Sequence, residues 1–99
     1  MKVLYRMEKN TYTKAWNCMA VFPELKGSYG RIPCYCIEEG WNECTYSYYS
    51  ATRKAKEEEY KELHKVVCNM FAEDGECIVI AQKITTKMYE EMCRMWRNA

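Results

Sequence analysis

The chain has 99 residues, 48% hydrophobic and 14% aromatic, enough to bury a core and to exclude wholesale disorder. Fifteen Lys and Arg against fourteen Asp and Glu leave a formal charge of +1, without the basic excess that phosphate contacts demand of a general nucleic-acid binder. No apolar run approaches the ~20 residues that span a bilayer, and Met1 to Tyr5 is followed by Arg6, Glu8 and Lys9 instead of an apolar signal core. These features predict a single domain over 1–99, cytoplasmic and without membrane partners. At this length much of the surface stays exposed, which makes a homo-oligomer a candidate assembly.

Lys2 to Met7 alternates, with Val3, Tyr5 and Met7 on one face, and reads as a first strand ended by Glu8-Lys9-Asn10. Trp16 to Phe22 contains the apolar run Cys18-Met19-Ala20-Val21-Phe22 stopped by Pro23, as suits a central strand buried on both faces. Pro23 to Pro33 is a loop. Its Gly27-Ser28-Tyr29-Gly30 stretch lacks the spacing of a phosphate cradle and opens no helix. Cys34 to Ile37 and Glu43 to Tyr49 read as the arms of a hairpin turning through residues 38–42. Cys44, Tyr46 and Tyr48 then share one face of the second arm.

Lys56 to Phe71 is the clearest helix. Tyr60, Leu63, Val67, Met70 and Phe71 form its apolar stripe, and Glu57, Glu58 and Glu59 fill the first turn, where the helix dipole favours negative charge. Gly75 is placed to take a left-handed stop. Glu76 to Ile84, apolar on both faces from Cys77 to Ala81, predicts a strand well inside the sheet. Thr85 or Thr86 caps a last helix to about Arg97, with Met88, Met92, Met95 and Trp96 as its buried stripe. The order is β-β-β-β-α-β-α, an α+β domain with a largely antiparallel sheet of four to five strands and two helices packed on one face.

Seven cysteines in a reducing compartment argue for packed thiols over a disulfide framework. Cys34, Cys36 and Cys44 could converge across the hairpin, but a structural zinc site needs a fourth ligand that is missing there, so no metal and no cofactor are predicted. His64 is the only histidine. It could pair with Cys68 one turn on, but no orienting group or oxyanion site is apparent, and the chain reads as a non-enzyme. The most informative feature is the nine tyrosines and three tryptophans. Trp and Tyr beside Arg dominate binding surfaces, and the same set can stack on a base while Arg holds phosphate. The candidate binding residues are therefore Trp41, Tyr46, Tyr48, Tyr49, Arg53, Arg94 and Arg97.

In Met19-Ala20-Val21-Phe22-Pro23-Glu24, in Tyr48-Tyr49-x-x-Thr52-Arg53-x-Ala55-x-x-Glu58-Glu59-Tyr60-x-x-Leu63, and in Lys83-Ile84-x-x-Lys87-Met88, the chain resembles a family of small proteins encoded by phages and mobile elements of gut bacteria. The family has no assigned activity, and the motifs are structural in character. Relatives typically continue the Arg with Pro-Ala-Thr-Pro and carry histidines near the hairpin tip. Here Lys54-Ala55-Lys56-Glu57 follows Arg53, and the tip has no histidine. The resemblance implies an accessory protein that inhibits a bacterial defence protein such as a CRISPR effector. The alternatives are sequestration of a nucleotide immune signal and a regulator or adaptor in mobile-element maintenance.

Overall fold

The computed structural model describes residues 1–81 and 83–98, excluding the side chains of 96–98. The first strand, β1, spans Lys2–Lys9 and pairs antiparallel with β2, Trp16–Val21. Between them the Asn10 side-chain carbonyl accepts from the amides of Tyr12 and Thr13, and Lys14 takes a left-handed φ of 63° to close the turn. β3 (Ile32–Cys36) pairs with β2 and then with β4 (Gly40–Cys44). Gly40, at φ 79°, supplies the left-handed residue that a three-residue hairpin turn requires.

The second hairpin arm ends at Cys44, not at Tyr49 as expected, because Thr45 starts a helix. Its side-chain oxygen accepts from the Tyr48 amide, and its carbonyl accepts from the Tyr49 amide at 3.0 Å. Helix α1 runs over Tyr46–Ala51, so the tyrosines expected on a strand face stand on a helix instead. β5, Arg53–Lys54, then returns to the free edge of β1, with Met7 opposite Arg53 and Arg6 opposite Lys54. Helix α2 occupies Glu57–Phe71, close to the predicted span, and Glu59 accepts from the Lys56 amide at its start.

Of the predicted interior strand from Glu76 to Ile84, in which Gln82 lies outside the described residues, the described residues form only β6, Val79–Ile80, parallel to β1 at Lys2 and Val3. The cause is competition for one edge. The Tyr5 carbonyl is already taken by the Ala55 amide, and β5 follows, so only the first residues of β1 are open to β6. Cys77 and Val79 are accordingly exposed. Helix α3, Thr86–Asn98, follows with the Thr85 hydroxyl accepting from the Met88 amide.

The described residues thus form an α+β domain with a six-stranded, mostly antiparallel sheet, ordered β4-β3-β2-β1-β5, with β6 beside β1. The helices divide between its two faces instead of sharing one. Val3, Tyr5, Met7, Ala20 and Phe22 pack with Ala55 and with Leu63 and Val67 of α2. Leu4, Met19, Val21, Ile32, Cys34 and Cys44 pack on the other side with Tyr49 of α1 and Ile84, and against Met88, Tyr89 and Met92 of α3. A central strand β2 that is apolar on both faces from Cys18 to Val21 demands cover on both. In α3 the buried stripe is Met88, Tyr89 and Met92, whereas Met95 is exposed and the Trp96 side chain lies outside the described residues. No helix among the described residues is long and apolar enough to cross a membrane.

Candidate functional site

On the α2 face, register brings together residues that are distant in sequence. Lys9 pairs with Trp16 and Met7 with both Cys18 and Arg53, so all five stand on one side of the sheet. The Arg53 guanidinium lies 4.9 Å from the centroid of the Trp16 ring. Its two terminal nitrogens donate to the two oxygens of Glu59, at 2.9 and 2.6 Å. That fork and the Lys56 amide hold the Glu59 carboxyl at about 2, well below its ordinary range, and the bond to Glu59 raises the Arg53 pKa further. Trp16 nevertheless remains 48% exposed, with Lys9 Nζ 5.9 Å from its ring centroid.

The same face carries a second aromatic group. Trp41 sits opposite Tyr35 in the hairpin register, their rings 5.4 Å apart, and leans on Phe22 at 5.0 Å. Phe22 in turn meets Phe71 in the last turn of α2. Trp41 is 50% exposed. Trp16 therefore marks the first turn of α2 and Trp41 its last, with half-buried Cys18 and Tyr35 on the sheet surface that flanks the helix. Burial and the nearby Glu59 push the Cys18 thiol up to about 12, so it behaves as a packed thiol, not a nucleophile.

The remaining predicted binding residues separate from this face. Tyr49 is buried, and its hydroxyl accepts from the Ile84 amide at 2.8 Å. Tyr46 stacks on Tyr89 with centroids 4.5 Å apart and donates to the Ile84 carbonyl. These two rings fasten α1 to the segment that enters α3. Tyr48 is half-exposed and donates to Glu8 at 2.7 Å; partial burial and that carboxylate push its phenol up to about 12. Arg94 is exposed on α3, and the Arg97 side chain lies outside the described residues.

Cys34, Cys36 and Cys44 do share one side of the hairpin, lining a cleft of about 380 Å³ with Glu8 and Tyr48. The neighbouring Cys44 and burial raise the Cys34 pKa, and pairing with Cys34 lowers that of Cys44. Among the described residues no three His, Cys, Asp or Glu side chains are set to hold a metal ion. His64 does meet Cys68, its Nε2 lying 3.5 Å from Sγ, and its Nδ1 is 2.7 Å from the Tyr5 hydroxyl. Burial raises the Tyr5 pKa, so this phenol stays protonated inside the α2 layer. In the Gly27–Gly30 loop the Ser28 amide is bound to the Glu43 carboxylate, which places a negative group where a phosphate cradle would need a vacancy.

Two groups escaped the sequence reading. Trp16 was visible only as a strand-end residue, since its partnership with Arg53 depends on register. Arg6 lies between Leu4 and Glu8 on the α1 and α3 face of β1, where Lys2 and Glu8 are charged as well, so the alternation did not single it out.

Comparison of the chain with protein-family models, with curated proteins and with solved structures finds no match.

Proposed function

We propose that this chain is a non-enzymatic binding protein that inhibits a bacterial defence protein in the host cytoplasm, in the manner of an anti-CRISPR. The observation that carries the binding reading is the half-exposed Trp16 held under Arg53, whose guanidinium is fixed by both oxygens of Glu59. Tryptophan and arginine are the side chains most enriched where alanine substitution disrupts binding, and a prefixed rotamer lowers the ordering cost of association. Trp41 is a second half-exposed tryptophan on the same face of the sheet. Its partner is a protein presenting a shallow apolar concavity, with polar groups at the rim for Lys9 and the Arg53–Glu59 pair. Defence proteins as the target class follow from the resemblance to phage and mobile-element proteins. For the alternative, a nucleotide immune signal held by aromatics beside Arg53, Arg94 and Arg97, Arg53 stands on the opposite sheet face from Tyr46 and Tyr49, and the Arg97 side chain lies outside the described residues.

The test is phage plating on a bacterial strain with an active defence system, with and without the protein, combined with capture of the defence component. The wild type restores plating and co-purifies with one defence component. Trp16→Ala keeps the fold by circular dichroism and weakens capture by roughly thirtyfold, as for a hot spot of about 2 kcal/mol. Undiminished capture by a Trp16→Ala/Trp41→Ala double variant, or no rescue across a panel of defence systems, refutes the reading.

A further inference from the structure

On the other side of the sheet, β1, β5, α1 and the approach to α3 enclose a cleft of about 510 Å³, within the usual size range of small-molecule sites. Arg6, Lys54 and Lys83 line it together with Tyr46, Tyr49 and Ser50, and among the described residues no carboxylate does. Among the described residues, none of these three cations has a carboxylate oxygen within 4.0 Å. Arg6 and Lys54 are also directly opposite each other in the β1–β5 register. Like charges facing across an antiparallel pair are destabilising, so the sheet carries an uncompensated cost at this point.

Arg6 is fixed as well as charged. Its Nε donates to the Thr52 hydroxyl at 2.9 Å and its Nη2 to the Thr52 carbonyl, while the guanidinium lies 4.9 Å from the Tyr49 ring centroid. Nη1 takes part in neither bond. Closing the end of α1 accounts for Arg6 alone; it does not account for Lys54 and Lys83 converging on the same hollow. The hydroxyls of Tyr46 and Ser50 already donate to the carbonyls of Ile84 and Tyr46, so the cations are the groups left to recognise a ligand.

We propose that this cleft is a binding site for a compact phosphorylated small molecule, with a phosphate or diphosphate group between Arg6, Lys54 and Lys83 and its organic part against Tyr46. A guanidinium held by its other edge and two exposed ammonium groups match a multiply charged phosphate, and the anion removes the repulsion between Arg6 and Lys54. The site is independent of the Trp16–Trp41 surface, which faces the other way, so the failure of either proposal leaves the other standing.

Isothermal titration and thermal shift of the whole chain at low ionic strength, with inorganic pyrophosphate and with ADP as probes, test the proposal. Both probes raise the melting temperature, and the binding weakens as salt is added. Lys54→Gln and Lys83→Gln each lower the affinity about tenfold, the loss expected for one charge-assisted contact. Lys65→Gln, an exposed change on α2, does not lower it. Tighter binding of ADP identifies an organic phosphate as the ligand, whereas equal affinities identify the phosphate group alone, and both support the site. No stabilisation by either probe, or affinities unchanged in both lysine variants, overturns it.

Discussion

Arg53 and Lys54 are neighbours in one short strand, paired with Met7 and Arg6 of another, yet the two faces they supply differ in kind. On the α2 face the cation is neutralised where it stands: Glu59 takes both ends of the Arg53 fork, and Trp16 lies beneath. On the α1 and α3 face two cations oppose each other with no carboxylate within salt-bridge distance among the described residues. A charge that is already paired contributes shape and a fixed rotamer to a surface. A charge left unpaired beside another is a demand for an anion. The same two-residue strand thus equips one face to meet an apolar partner and the other to meet a negative one.

The sharpest way to break the comparison is to remove the side chain that ties Trp41 to α2. Phe22 is fully buried against Trp41 and Phe71, and Phe22→Ala is expected to cost about 3–5 kcal/mol in urea unfolding. A much smaller loss means that the α2 face is packed more loosely than the ring contacts require. A change on the other face has the opposite sign. Lys54→Gln removes the cross-strand repulsion and stabilises the free protein by about 0.2–1 kcal/mol, more at low salt than at high. Destabilisation by that substitution implies that Lys54 already has a partner in the folded chain.

The smallest effect sharpens the picture of the paired cation. Glu59 titrates at about 2 in the folded chain, below its ordinary value of 4.5. A lowered carboxyl pKa adds stability that is complete above the ordinary value and fades as pH falls towards the folded one. The stability difference between wild type and Glu59→Gln, followed by urea unfolding, should therefore shrink as pH drops from 4.5 to about 2. A pH-independent difference shows that the fork with Arg53 does not persist in solution.

How much of this was legible in the sequence depended on whether a local pattern had a rival. Helix α2 was legible because Leu63, Val67 and Met70 repeat at helical spacing and nothing nearby competes. The Tyr46-Ser47-Tyr48-Tyr49 stretch was not: its alternation also places Tyr46 and Tyr49 three apart, and the side chain of Thr45 decided for the helix. Cys77 to Ala81 looked like an interior strand by composition, but its role was set by an edge already occupied by β5. Cover on both faces could have been read from the central strands, since Leu4 and Tyr5 are both buried. Trp41 and Arg53 were found from residue type, and both lie on the proposed docking face. Trp16 required the pairing register, and the convergence of Arg6, Lys54 and Lys83 required three separate segments to be placed in space.

The independence of the two faces is tested most directly by a two-dimensional NMR titration of the whole protein with pyrophosphate. The account predicts that the signals of Arg6, Ser50, Lys54 and Lys83 move together while the indole N–H signals of Trp16 and Trp41 stay in place. Shifts centred on Trp16 and Arg53, with the Arg6 and Lys54 signals unmoved, would contradict it.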